Sequence, residues 1–116
     1  MSNSTTGKVG KEALLTPDNC VLLLIDHQPF QFSGVKNIDA ALLMNNVVAL
    51  AKAAKVFEVP TLLTSVVEDR GGFIVKPLLD VFPEQTPINR TTINTWEDPA
   101  CVEWVKRTGR KKVVIA

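Results

Sequence analysis

The run Val21-Leu22-Leu23-Leu24-Ile25 is apolar at every position and is halted at once by Asp26-His27-Gln28-Pro29, and it constrains this chain more than any other feature. Successive side chains of a strand point to opposite faces, so a continuous apolar run needs cover on both sides. The run is too short for a core helix, which takes about ten residues or more. It therefore reads as the central strand of a parallel sheet with helices packed on each face.

From Asn37 to Phe57 the period becomes helical: Ala40, Leu43, Val47, Leu50, Ala54 and Phe57 recur at spacings of three and four and share one face. Lys52 and Lys55 mark the solvated flank, and Asn37 is the expected N-cap. Pro60 stops the helix, and Thr61 to Val67 reads as a second strand. Strand, helix, strand in that order implies a right-handed crossover between parallel strands. Residues 68 to 96 are irregular, with Gly71-Gly72, Pro77, Pro83 and Pro87, a short helix expected around Lys76 to Val81 and a short strand around Ile88 to Arg90. Loops of this length in a compact α/β domain are usually functional. A third helix is well punctuated, with Asp98 at N-cap, Pro99 at N1, Lys106 and Arg107 in the last turn and Gly109 beyond the end. Its inward face would carry Cys101, Val102 and Val105, and Lys112 to Ala116 begins another buried strand.

Composition narrows the function classes. With 46% hydrophobic and 22% charged residues the chain is no disordered segment, and its net charge of +1 lacks the electrostatic footprint of a nucleic-acid or anionic-membrane binder. No stretch approaches the ~18 apolar residues of a membrane span. The polar opening MSNSTTGKVGKEA has no secretory h-region, and residues 1–13 are expected to form a flexible arm ahead of a single domain over 14–116. Cys20 and Cys101 are too few for a disulfide framework and lack zinc-ligand spacing, which points to free thiols in a reducing, cytoplasmic compartment. A lone histidine supports no metal site, and no cofactor is expected. A doubly wound sheet takes about five or six strands. Two clear strands, one short one and one cut at its carboxyl end fall short of that, so the expectation is the N-terminal part of a larger domain, truncated after the fourth strand.

In open α/β sheets ligands bind beyond the carboxyl ends of the strands. Asp26 sits there on the first strand, where it suits either a loop cap or a catalytic carboxylate. His27 reads as a hydrogen-bonded loop residue. Arg90, in Asn89-Arg90-Thr91-Thr92, is by itself open between surface and site, as is the charged loop Glu68-Asp69-Arg70-Gly71-Gly72. No GxGxxG or GxxxxGK is present, so the glycine pair is no phosphate loop. Trp96 suits a pocket wall or a packing role. Cys101 stands near a helix N-terminus, which can activate a thiol, but its apolar face predicts a buried, inert one. Cys20 is expected in the core.

Taken in order, Val21 to Gln28, the long helix ending in Val59-Pro60-Thr61, Phe82-Pro83-Glu84, Arg90, Ile93-Asn94-Thr95-Trp96, and Lys106 to Ala116 resemble the isochorismatase-like cysteine hydrolases, and their YcaC-type branch in particular. The resemblance runs from about residue 14 onward. It implies a Rossmann-like three-layer α/β/α sandwich with a parallel sheet, and a hydrolase of small amides or related C–N or C–O compounds using an Asp, a cation and a Cys. It places the Asp on Asp26 and the cation on Arg90, where the family's usual residue is lysine. Gln28, Thr95 and Trp96 are the implied substrate contacts. The family's nucleophilic Cys follows the fourth strand, beyond Ala116, and Cys101 does not match it. These 116 residues alone are accordingly expected to be inactive, and aggregation-prone through an unpaired edge. The implied partners are a small-molecule substrate and further copies of the chain, with no nucleic acid or membrane. No histidine follows Thr64-Ser65, which argues against nicotinamide.

Two other classes compete. A receiver-like signalling domain of flavodoxin-type topology has the right size, but it needs paired acids where Asp26-His27-Gln28 supplies one. A catalytically inert fragment is the other alternative.

Overall fold

The computed structural model describes residues 10–116. Of the expected N-terminal arm, residues 1–9 lie outside the described residues, and Gly10–Ala13 form a 3₁₀ turn. Four strands form one parallel sheet: β1 (Cys20–Ile25), β2 (Thr61–Val66), β3 (Ile88–Arg90) and β4 (Lys112–Ile115), in the order β3-β2-β1-β4. Five helices connect them: α1 (Pro29–Ser33), α2 (Ala40–Val56), α3 (Glu68–Gly71), α4 (Lys76–Leu79) and α5 (Pro99–Thr108).

The register of β1 explains its unbroken apolar run. Leu22 and Leu24, with Leu63 of β2, face Val47, Ala51 and Ala54 of α2 and the segment carrying Ile74, Leu78 and Phe82. Val21 and Leu23, with Leu62, face Cys101 and Val105 of α5. The central strand thus seeds two cores, one on each side, which makes the three layers.

The helix boundaries differ from the periodicity reading in instructive ways. The cap of α2 is Asp39, whose side chain accepts from the Leu42 N–H at 3.1 Å; Asn37 lies outside the helix. Leu50 and Phe57 lie exposed beside an apolar hollow instead of in the core, and Ala51 takes the buried position. A spacing of three and four fixes which residues share a stripe but leaves free how far that stripe rotates against the sheet. The chain leaves α2 through Glu58 at φ +57°, and the Val59 N–H returns to the Ala54 carbonyl at 2.8 Å before Pro60 forbids a further turn.

α5 follows its sequence punctuation. Asp98 accepts from the N–H groups of Ala100 and Cys101 at 2.8 and 3.1 Å, and Gly109 closes the helix at φ +70°. Cys101 and Val105 are buried, while Val102 is only half-buried. Asp98→Ala is expected to cost about 0.5–2 kcal/mol, read as a lower urea midpoint at unchanged slope.

β4 lies beside β1, with Cys20 opposite Lys112 and Leu23 opposite Ile115. It is an edge strand among the described residues, and Ile115 is exposed where the run of valine and isoleucine suggests burial. Two cations beside it are engaged locally. Arg110 donates to the carbonyls of Pro17 and Cys20, and Lys112 donates to those of Glu12 and Leu14 at 2.6 and 2.8 Å. These bonds hold the segment before β1 against the start of β4.

Candidate active site

The carboxyl ends of β1, β2 and β3 converge on one ion pair. Arg90 closes β3 and its side chain is 1% exposed; Asp26 follows β1 and its side chain is 15% exposed. The guanidinium meets the carboxylate with two parallel bonds, Nη1 to Oδ1 at 2.5 Å and Nη2 to Oδ2 at 2.8 Å. This fork is available to arginine and denied to lysine. Nη1 also donates to Thr64 Oγ1 at 3.2 Å and the Ser65 carbonyl at 3.3 Å, and Nη2 donates to the Ile93 carbonyl at 2.9 Å. Hydrogen bonding to Asp26 is the main reason the guanidinium holds its proton even more firmly than usual, against the opposing effect of burial.

The backbone around the pair is strained. Asp26 has φ +61° and Val67, just past β2, has φ +41°. Such conformations cost about 1–3 kcal/mol each for residues other than glycine, and they gather where surrounding structure over-determines them. Here Asp26 N–H donates to the Thr64 carbonyl and Val67 N–H to the Arg90 carbonyl, at 2.9 and 3.0 Å. Asp26 is thus pinned to β2, and Val67 to Arg90 at the end of β3.

The other predicted residues divide. Thr95 is buried and Trp96 half-exposed; with Ile93 they wall a hollow of about 280 Å³ with Leu23, Ile25 and Ile115. The Ile93 carbonyl that receives Arg90 ties this wall to the ion pair. Gln28 is fully buried, and both protons of its amide go to backbone carbonyls, Val66 at 3.0 Å and Gly72 at 2.8 Å. It has no donor left for a ligand. Sequence reasoning passed over Thr64, whose hydroxyl lies 3.4 Å from Asp26 Oδ1. The signal was present: Thr64 and Ser65 are polar residues inside a buried strand, and buried polar groups need partners.

His27 is buried with its ring edge-on to Phe32 and with Nδ1 unpartnered. Burial lowers its pKa from the ordinary 6.5, against an opposing pull from Asp26. The folded state thus binds fewer protons at His27 than the unfolded chain does. Stability should be complete above pH 6.5 and decline as pH falls below it, and His27→Asn should flatten that part of the profile.

Cys101 is fully buried, and burial, reinforced by the Asp98 charge, pushes its thiol up to about 11. Its neighbour Arg90 opposes this without reversing it. Native Cys101 is expected to resist alkylation at neutral pH until the chain unfolds; rapid labelling of folded protein would contradict this. Among the described residues no three His, Cys, Asp or Glu side chains group as metal ligands, and no helix is long and apolar enough to cross a membrane.

Residues 20–116 match the model of the isochorismatase domain. The chain belongs to the isochorismatase family. It is 38% identical over 104 residues to the probable hydrolase YcaC of Escherichia coli strain K12, a match covering 88% of this chain and 50% of the relative. The crystal structure of that bacterium's YcaC, described as an octameric hydrolase of unknown specificity, superposes with a TM-score of 0.83 over 88% of this chain and 51% of that one. YcaC from Pseudomonas aeruginosa, solved with hexane-2,5-diol and covalent acrylamide, is likewise 38% identical with a TM-score of 0.83, covering 88% of this chain and 52% of the other. The chain thus spans about half the length of these isochorismatase-family relatives. The α/β fold with its parallel sheet is the one the resemblance implies.

Proposed function

We propose that this chain carries the acid–base and anion-holding part of an isochorismatase-like cysteine hydrolase acting on small amides or related C–N or C–O compounds. The observation that carries the reading is the buried, two-bond Asp26–Arg90 pair at the carboxyl edge of the sheet. An arginine cannot carry a proton at neutral pH, so Asp26 is the member of the pair that exchanges one. A thiol would pass its proton to the Asp26 carboxylate and attack the substrate carbonyl carbon as thiolate. The C–N bond then breaks, with the proton delivered to the leaving amine, and water hydrolyses the thioester. Arg90 holds the Asp26 carboxylate in register through its two bonds. Thr95 and Trp96 would line the acyl side of the substrate, beside the hollow they share with Ile93.

Neither Cys20 nor Cys101 suits the nucleophile, since both are buried. The reading places that thiol outside these 116 residues. The covalent acrylamide on the Pseudomonas aeruginosa relative supports a nucleophilic side chain in that protein, and a thiolate is one group that adds to such an alkene. The reading extends to a homo-oligomer, as the octameric relative suggests, and the exposed Phe30, Phe73 and Ile93 offer apolar surface for it. It also extends to the cytoplasm, on the support of two free cysteines.

A chimaera joining residues 1–116 to the half of the Escherichia coli relative that the match does not reach tests the chemistry. Folded chimaera is expected to release ammonia from members of a small-amide panel, and Asp26→Asn to abolish the release. Residues 1–116 alone should show none. Turnover that survives Asp26→Asn, or turnover by residues 1–116 alone, would overturn the assignment.

A further inference from the structure

β1 turns out of the sheet at Asp26, whereas β2 runs on to Val66. With Ile25 paired to Thr64, the place beside Val66 is left without a backbone neighbour from β1. The side chain of Gln28 fills it. Its Oε1 accepts from the Val66 N–H at 2.9 Å and its Nε2 donates to the Val66 carbonyl at 3.0 Å, the pair of bonds that a neighbouring strand would make. The second Nε2 proton goes to the Gly72 carbonyl at 2.8 Å. The backbone N–H of Gln28 donates to the Asp26 carbonyl at 2.9 Å and closes the tight turn in which Asp26 holds φ +61°. On its other side Val66 is the register partner of Arg90. Gln28 thereby joins the Asp26 turn, through its backbone N–H, to Val66 of β2, the register partner of Arg90, through its fully buried amide.

Gly71 reserves the space for this arrangement. A Cβ there would stand 2.8 Å from Gln28 Nε2 and 3.5 Å from Gln28 Cδ, and the amide has no other place to go without surrendering its bonds.

We infer that Gln28 is a positioning residue, whose carboxamide sets the alignment of the Asp26 carboxylate on the Arg90 guanidinium; this rests on the reading of Asp26 and Arg90 as the reacting pair. Gln28 touches no substrate in this scheme and acts through Asp26. The fold supplies its own comparison. Gln85 pairs in the same manner with the early part of β2, accepting from the Leu63 N–H at 2.7 Å and donating to the Thr61 carbonyl at 3.0 Å. Gln85 has no bond to Asp26, Arg90 or Val66 among those described. It is a strand staple without an ion pair to align.

The test is nuclear magnetic resonance of the arginine side chains in the protein and in two variants, Gln28→Met and Gln85→Met. A guanidinium held by two bonds to a carboxylate rotates slowly, so wild-type Arg90 should give separate Nη resonances. Both variants are expected to lose thermal stability. Gln85→Met should keep the Arg90 splitting, and Gln28→Met should lose it to a single averaged signal. Splitting retained in folded Gln28→Met, or lost equally in both variants, would overturn the inference. If Gln28→Met does not fold, wild type decides the matter on warming below its unfolding transition. The Gln28 amide protons and the Arg90 splitting should then disappear together, and Arg90 splitting that outlasts the Gln28 signals would refute the alignment role. Because the readout is geometric, a failed amide assay leaves it intact, and its own failure leaves the catalytic reading to stand on turnover.

Discussion

Asp26→Ala is expected to lower unfolding stability by about 3–5 kcal/mol, because it strands the Arg90 guanidinium in a site from which water is excluded. Removing the arginine instead should cost less. Arg90→Met leaves Asp26, which keeps some exposure and can draw a water to its carboxylate, whereas the Arg90 side chain is only 1% exposed. Arg90 already carries one unpartnered N–H, at Nε, so it has little tolerance for losing two more partners. Urea unfolding of the two single variants and of the double variant measures the asymmetry. The double variant should be more stable than Asp26→Ala alone, since a methionine needs no counter-charge. Equal losses in the two single variants would show that the pair is solvated and that its members contribute as independent surface charges.

Leu24→Ala is expected to cost about 2–5 kcal/mol, as truncation of a fully packed leucine removes its transfer free energy and leaves a cavity. Leu24 is completely buried in the middle of β1, facing the α2 layer. Ile115→Ala is the matched substitution on the edge strand, where the side chain is 67% exposed. Its loss should stay within about 0.5 kcal/mol. Comparable losses at the two positions would mean that the outer side of β4 is covered in solution, by a second copy or by other polypeptide.

The sequence made some of this readable and hid the rest for identifiable reasons. Residues 21 to 25 announced a doubly covered strand because two cores demand apolar side chains at every position. Asp98, Pro99 and Gly109 announced α5 because each satisfies a local backbone requirement that needs no knowledge of the fold. The Asp26–Arg90 contact spans 64 residues, and nothing local to either residue specifies it. Its legibility came from the resemblance of the ordered blocks to a family. Gln28 shows the same limit from the other side. Its position beside Asp26 suggested a ligand contact, while the partners that consume its amide, Val66 and Gly72, lie 38 and 44 residues further on. Leu50 and Phe57 satisfied the helical period yet stayed outside the core, since the period does not record which part of the stripe the sheet reaches.

The place of β4 governs how this chain reaches its native state. Its bonds to the region around β1 join residues 90 to 100 positions apart, from Arg110 to Cys20 and from Lys112 to Glu12. The contacts of β1 with β2 close a loop of less than half that length. Loop-closure entropy has to be overcome before distant strand pairings return any free energy, and chains dominated by such pairings fold slowly. During synthesis, Val21 and Leu23 remain without α5 and without their β4 neighbours until the segment from Cys101 to Ile115 has been made. One face of β1 is thus left uncovered over that interval, so a demand for chaperone protection falls on the nascent chain.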